Sequence, residues 1–164
     1  MNIRTFGVAA VLALTVSACG GDDDATASKA ISDSIMESND QTFEVSRSQA
    51  DCVGDGLVEQ IGTEQLTEYG IITEDLEASD GIDDVTMSQE DAESAADVMS
   101  ECADIRELFT NAMGELPEEA RSCVDENLSD EVVHDFLVAI FMNDQEKGTQ
   151  DMMSALQECV TPQG

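Results

Sequence analysis

Five cysteines and one histidine are the residues of this 164-residue chain whose types could support special chemistry. Four of the cysteines, all after position 50, form an even set, as disulfide bonding requires. They are Cys52, Cys102, Cys123 and Cys159. No two of them have the Cys-x-x-Cys spacing of a thioredoxin-like redox site, and zinc is also a poor interpretation without close ligand pairs. We therefore expect structural disulfides, in one of three possible pairings, and no metal.

The sequence around these cysteines repeats, and the repeat favours one pairing. A Cys-Val-x-x-x-Leu pattern occurs at Cys52 and again at Cys123, and a Glu precedes both Cys102 and Cys159. The simplest account is a duplicated unit with a cysteine on its first and last helices. Chance similarity in a chain rich in Glu, Ser and Ala is the alternative. Duplication predicts that Cys52 pairs with Cys102 and that Cys123 pairs with Cys159.

His134, the only histidine, is predicted to lie at the border of an apolar helical stripe. Asp130 precedes it by four residues and therefore shares its helical face. A catalytic role would need a nucleophile or a metal partner, which no motif supplies. Carboxylates are so numerous that naming any two as general acid and base would carry no information. We predict no catalytic residue, no cofactor and no enzyme activity, and we interpret His134 as a surface histidine near a carboxylate.

The start of the chain has the pattern of a bacterial export signal. One basic side chain, Arg4, precedes ten apolar residues, 7–16, and small residues follow. Ten residues rise about 15 Å as a helix, roughly half the thickness of the hydrocarbon core of a bilayer. The apolar run is therefore too short for an ordinary membrane span.

The tetrapeptide Val16-Ser17-Ala18-Cys19 resembles the lipobox of bacterial lipoproteins, in which an aliphatic residue, a small residue and Gly or Ala precede the cysteine. The resemblance implies that residues 1–18 are a cleaved signal peptide and that Cys19 carries the lipid. It also implies a location on the extracytoplasmic face of the cell membrane. An ordinary secretory signal with Cys19 as a stray thiol is the alternative. Two acyl chains suffice for stable anchoring, and export would place the other cysteines where disulfides persist.

The charge of the chain excludes some partners. It has 37 acidic and 6 basic side chains, which give a formal net charge of -31. Such a surface repels nucleic acid and anionic lipid head groups, so neither is an expected electrostatic partner. The dispersed acidic residues indicate a solvated surface or adaptation to a salty habitat, with a cation-binding surface as the sharper alternative.

Apolar residues at helical spacing predict an all-α protein of about six helices, and no stretch alternates as a strand would. Residues 19–47 are rich in Gly, Asp, Ala, Ser and Thr, which predicts a lipidated N-terminus and a flexible acidic tether. Residues 48–164 are predicted to form a disulfide-stapled helical domain. Its halves would be 48–114 and 115–164.

Three residues are predicted to start helices. Ser88 begins a capping-box sequence, Ser129 precedes the most apolar stripe, and Thr149 can cap the last helix. The helix after Ser88 is expected to be the longest and to continue to Met113, with a bend or break past Cys102.

These features together predict a non-catalytic envelope lipoprotein whose helical domain is an interaction or accessory module for another envelope protein. The alternative is a carrier of a small apolar ligand or lipid, held between helices lined by methionine. The chain has eight methionines, and Met-rich surfaces adapt to varied ligands. At helical spacing, however, methionines are more often part of the core.

Overall fold

The computed structural model describes residues 21–38, 45–79, 85–114 and 117–160. The predicted signal peptide 1–18 and Cys19 lie outside these residues. The described residues form eight α-helices: α1 (Gly21–Glu37), α2 (Arg47–Gln60), α3 (Thr63–Glu68), α4 (Gln89–Cys102), α5 (Ile105–Ala112), α6 (Glu118–Asn127), α7 (Asp130–Phe141) and α8 (Gln145–Val160). Within the same ranges, β structure is limited to one isolated bridge between Ile72 and Ala78. The all-α class is confirmed, with eight helices where about six were expected.

One of the two additional helices comes from a break in the predicted long helix. Helix α4 ends at Cys102, and Ala103 has extended backbone angles, φ -143° and ψ 146°. The carboxylate of Asp104 then accepts a hydrogen bond from the N–H of Glu107 and so caps a new helix, α5. An aspartate in this position satisfies a donor that the helix itself leaves unpaired.

The other additional helix is α1, and the expectation of a flexible tether is wrong over Gly21–Glu37. This segment is helical and packs along α2, with four residues buried in its face: Ala27, Ser28, Ile31 and Ser32. Their spacing of three to four residues is that of one helix face. Two of the four are serines, which is why the segment does not show an apolar stripe.

Two other helix starts agree with the sequence. The hydroxyls of Ser88 and Ser129 accept hydrogen bonds from backbone N–H groups of the first turns of α4 and α7. Ser46 forms a full capping box at the start of α2. The predicted start at Thr149 is wrong, because α8 begins at Gln145.

The helices enclose two adjoining hydrophobic cores. The first lies among α1 to α4 and the segment between α3 and α4, and its largest fully buried side chains are Leu66 and Ile72. The second lies among α4 to α8 and includes Leu128, which is also fully buried. Helix α4 belongs to both cores and packs against α7. The N–H of Met87, just before α4, donates a 2.8 Å hydrogen bond to the carbonyl of Phe141 at the end of α7.

Candidate functional site

The four cysteines of the helical domain form two disulfides. Cys52 is bonded to Cys102 and joins α2 to α4, and Cys123 is bonded to Cys159 and joins α6 to α8. The two Cα atoms are 5.5 Å apart in each pair, which is ordinary disulfide geometry. These are the pairs that the sequence repeat favoured. Each disulfide closes its own half of the domain.

His134 forms its closest polar contact with a different carboxylate from the one expected. Its Nε2 lies 3.2 Å from Oδ1 of Asp97 on α4, and its Nδ1 lies 3.8 Å from the carboxylate of Asp135. Asp130, the expected neighbour, lies instead 3.6 Å from the guanidinium of Arg106. His134 therefore ties α7 to α4, in keeping with a surface histidine that has a structural partner.

A cleft of about 490 Å³ lies beside this contact, where α2, α4, α5 and α7 meet. We call it the acidic cleft, because four exposed carboxylates line it: Asp97, Glu101, Asp104 and Asp130. Arg106 is the one basic residue of its lining, and Cys102 of the first disulfide borders it. Carboxylates in this arrangement attract cationic groups. Across the described ranges, no cluster of three or more His, Cys, Asp or Glu is arranged to hold a metal ion.

A second cleft, of about 460 Å³, lies between α1 and the segment 76–79. Its charged lining residues are Lys29, Asp33, Glu37 and Glu77. The Lys29 ammonium and, after it, the Arg47 guanidinium hold the pKa of the Asp33 carboxyl below its ordinary value. The acidic cleft has four carboxylates and one basic residue in its lining, against three carboxylates and one basic residue here, so it is the stronger candidate for binding a cationic partner.

Small and polar side chains form the contact between α1 and α2. The hydroxyl of Ser32, buried in this contact, lies 3.0 Å from the carbonyl oxygens of both Ser28 and Ala50. The hydroxyl of Ser28 donates to the carboxylate of Asp55. Gly54 faces the same two serines, so the backbones of the two helices approach closely. Close approach of this kind needs a residue without a Cβ.

Ionic and polar contacts hold both ends of α1. Near the start of α1, the carboxylate of Asp24 accepts a 2.7 Å hydrogen bond from the hydroxyl of Thr63, the first residue of α3. Near the end of α1, Asp33 lies 2.6 Å from the guanidinium of Arg47, the first residue of α2. Helices α1 and α2 are therefore antiparallel.

The methionines are divided between the core and the surface. Met87 is buried, whereas three others are exposed: Met113, Met142 and Met153. The linings of the two clefts described above include no methionine.

Sequence reasoning identified the cysteine pairs but missed the acidic cleft and the α1 contact. The cleft depends on the break at Ala103, which brings the carboxylates of α4, α5 and α7 to one place. A signal for the α1 contact was present as three small residues, Ala27, Ser28 and Ser32, which share one helical face with Ile31.

None of the described helices has the length and apolar character needed to cross a membrane. The chain matches no protein family, no curated protein and no solved structure.

Proposed function

We propose that this chain is a membrane-anchored lipoprotein of the cell envelope, whose helical domain binds another envelope component without catalysing a reaction. One observation carries the proposal. The chain has five cysteines, and the two disulfides use Cys52, Cys102, Cys123 and Cys159. Cys19 is therefore the one cysteine that the two disulfides do not use, and it stands at the cysteine position of the lipobox-like sequence.

The disulfides also favour an extracytoplasmic location. Disulfides persist in exported proteins and are rare in the reducing cytosol. An exported small domain is expected to contain disulfides, so the two disulfides and the export signal both support an extracytoplasmic location. Lipid on Cys19 supplies membrane affinity that a surface of this charge lacks.

The charge indicates the chemistry of the partner. With a net charge of -31 and four carboxylates around the acidic cleft, the domain is complementary to a basic protein surface. Charge complementarity of this kind increases association rates and selects partners, and salt weakens it. We therefore assign the acidic cleft as the contact for a basic region of an envelope protein.

The anchor is tested by intact mass measurement and membrane fractionation in the native host. Wild-type protein is expected to begin at Cys19, to carry the mass of attached acyl chains and to sediment with membranes. Cys19→Ala is expected to release the protein into the soluble extracytoplasmic fraction. The double variant Cys52→Ala with Cys102→Ala is the matched control, because it removes cysteines and should leave membrane sedimentation intact. An uncut, unmodified N-terminus in wild-type protein would contradict the proposal.

The partner is tested by site-specific photocrosslinking in living cells. A photoreactive residue in place of Glu101, in the acidic cleft, is expected to capture one recurrent protein with a basic surface. The same residue in place of Asp125, an exposed position on α6 that is not part of the cleft lining, is the control. Equal capture from both positions would contradict a binding role for the cleft.

A carrier of a small apolar ligand is the second candidate, and no described contact favours it over the first. A native mass spectrum of protein purified from its host separates the two. A bound adduct of lipid size would support the carrier, whereas mass corresponding to the acylated chain alone would support the interaction module.

We also propose that the two halves of the domain arose by duplication of one helical unit. The support is that each disulfide joins the first and last cysteine-bearing helix of its own half, α2 with α4 and α6 with α8. The test is the similarity of the two halves in related chains. If the halves arose by duplication, some related chains should have two halves that are more similar in sequence than the halves of this chain.

A further inference from the structure

We infer that the domain has no flexible stalk: the start of α1 is held at the lipid head groups, and the acidic cleft lies at the opposite end of the domain, facing away from the membrane. The inference rests on the proposed lipid anchor at Cys19 and deepens it. It names the surface that meets the bilayer and the surface left for a partner.

The first step is the length of chain between the lipid and the folded domain. Cys19 is two positions before Gly21, where α1 begins. Two residues span at most about 7 Å even when fully extended. The N-terminal end of α1 is therefore confined close to the thioether on Cys19.

The second step is that α1 does not act as a stalk of its own. About 25 flexible residues would reach roughly 25 to 30 Å from the membrane. Instead, α1 lies along α2, joined to the domain from Asp24, which pairs with Thr63, to Asp33, which pairs with Arg47. Buried Ser32 and the close approach at Gly54 fix the middle of the contact. Residues 21–37, which as a coil could have held the domain away from the membrane, are instead packed against the domain.

The third step is the position of the acidic cleft. Helices α2 and α4 are antiparallel, since Cys52 is bonded to Cys102 while Gly56 faces Val98. Gln49, in the first turn of α2, lines the cleft together with the C-terminal end of α4. The start of α1 lies by contrast at the other end of α2, next to Thr63. The helix rises about 17 Å from Gln49 to Gln60, which separates the cleft from the anchored end.

The fourth step is charge, which acts on the end of the domain that the anchor leaves free. Anionic head groups repel carboxylates within about a Debye length of the surface. Four exposed carboxylates surround the cleft. The start of α1 is itself acidic, with Asp22, Asp23 and Asp24 in its first turn, so the short link to Cys19 decides which end stays at the bilayer. Repulsion then acts on the free end and keeps the cleft away from the head groups.

The orientation can be measured without relying on natural lipidation. In the mature chain, residues 19–164, Cys19 has the only free thiol once the two disulfides have formed. It can therefore be coupled to a maleimide phospholipid in vesicles of zwitterionic and anionic lipid. A fluorophore is introduced through an azide-bearing residue at Glu64, near the anchored end, or at Glu101, in the cleft. A nitroxide on the lipid head groups then reports how close each fluorophore lies to the bilayer.

We expect quenching at position 64 to be several-fold stronger than at position 101. Inserting ten residues of glycine and serine between Gly20 and Gly21 should abolish most of this difference. The insertion adds a flexible coil with a reach of about 17 Å and alters no described helix. Equal quenching at both positions without the insertion would overturn the inference, and so would quenching that the insertion leaves unchanged.

The two proposals fail in different experiments. An unmodified Cys19 in protein from the native host would refute the natural anchor and leave the quenching result standing. Equal quenching in the chemically anchored chain would refute the orientation and leave the native mass standing.

Discussion

Gly54 lies so close to the backbone of Ser28 that a Cβ added at Gly54 would be 2.4 Å from the Ser28 carbonyl oxygen. The same Cβ would be 2.6 Å from the hydroxyl oxygen of Ser32. The carbonyl belongs to the backbone of α1 and cannot rotate away as a side-chain end could. The seating of α1 on α2 therefore depends on a glycine at this position.

We predict that Gly54→Ala loosens α1. Alanine in a helix interior is ordinarily more favourable than glycine by about 1 kcal/mol, but overpacking a tight contact costs about 1–3 kcal/mol. The expected net result is a lower free energy of unfolding and faster hydrogen exchange in α1. Urea unfolding followed by circular dichroism, together with exchange mass spectrometry, measures both.

Gly21→Ala is the matched control for this substitution, because a Cβ at Gly21 would meet no atom within 4 Å. It should leave the exchange of α1 unchanged. Faster exchange in Gly21→Ala, or unchanged exchange in Gly54→Ala, would show that the close contact does not hold α1.

The two disulfides should stabilise the protein by similar amounts. They link residues 50 and 36 positions apart, for which the chain-entropy contribution is about 4 kcal/mol each, with native strain subtracting from it. We expect Cys52→Ser with Cys102→Ser, and Cys123→Ser with Cys159→Ser, each to lower the thermal midpoint markedly. Differential scanning calorimetry of the two double variants measures the losses. If a double variant had the same thermal midpoint as the wild type, its disulfide would not contribute to stability.

Tyr69 links the end of α3 to the start of α4. Its hydroxyl donates a hydrogen bond to the carboxylate of Asp91 and accepts one from the N–H of Ser88, 3.1 Å away. Tyr69→Phe keeps the ring and removes both bonds, so a loss of about 1–3 kcal/mol in unfolding free energy is expected. Because Ser88 is also the helix cap, the Tyr69→Phe and Ser88→Ala losses should be non-additive. Additive losses in the double variant would contradict a shared network.

The ion pairs of Asp33 predict a pH dependence. The pKa of the Asp33 carboxyl is lowered from its ordinary value of 3.8, first by hydrogen bonding with Lys29 and then by hydrogen bonding with Arg47. A lowered folded-state pKa means that the carboxylate stabilises the fold above the ordinary value, and that this contribution is lost as the pH falls through the lowered one. We expect Asp33→Asn to be less stable than the wild type at pH 6, with a difference that disappears as the pH falls well below 3.8.

The readout for Asp33 is the difference between the urea midpoints of variant and wild type at each pH. Asp23→Asn removes the same charge from the same helix and serves as the control. A difference between Asp33→Asn and wild type that persists unchanged at low pH would assign the effect to something other than the ion pairs. High salt should reduce the difference, since the groups are exposed.

The helix caps and the disulfide pairs could be predicted because each has a recognisable pattern in a short stretch of sequence. Ser88 and Ser129 cap helices through their own hydroxyls, and Cys52 and Cys102 share a pattern with the other pair. The helix over Gly21–Glu37 escaped prediction because its buried face includes serines that α2 satisfies from outside the segment. The hydroxyl of Ser32 lies within hydrogen-bonding distance of the carbonyl of Ala50, eighteen residues later in the chain.

The candidate site was less predictable than the fold. Asp130 and His134 are neighbours on one helix face, yet each has its partner on another helix, Arg106 and Asp97 respectively. Helical spacing identifies partners within a helix, but contacts between helices depend on packing that no local pattern records.

Neither disulfide connects one half of the domain with the other. Only non-covalent contacts hold α4 against α7, among them the hydrogen bond from Met87 to Phe141 and the pair formed by His134 and Asp97. Heat that separated α4 from α7 would leave two halves, each with its own disulfide, still joined by the polypeptide chain. Separation of the two halves would therefore require no disulfide to break or exchange.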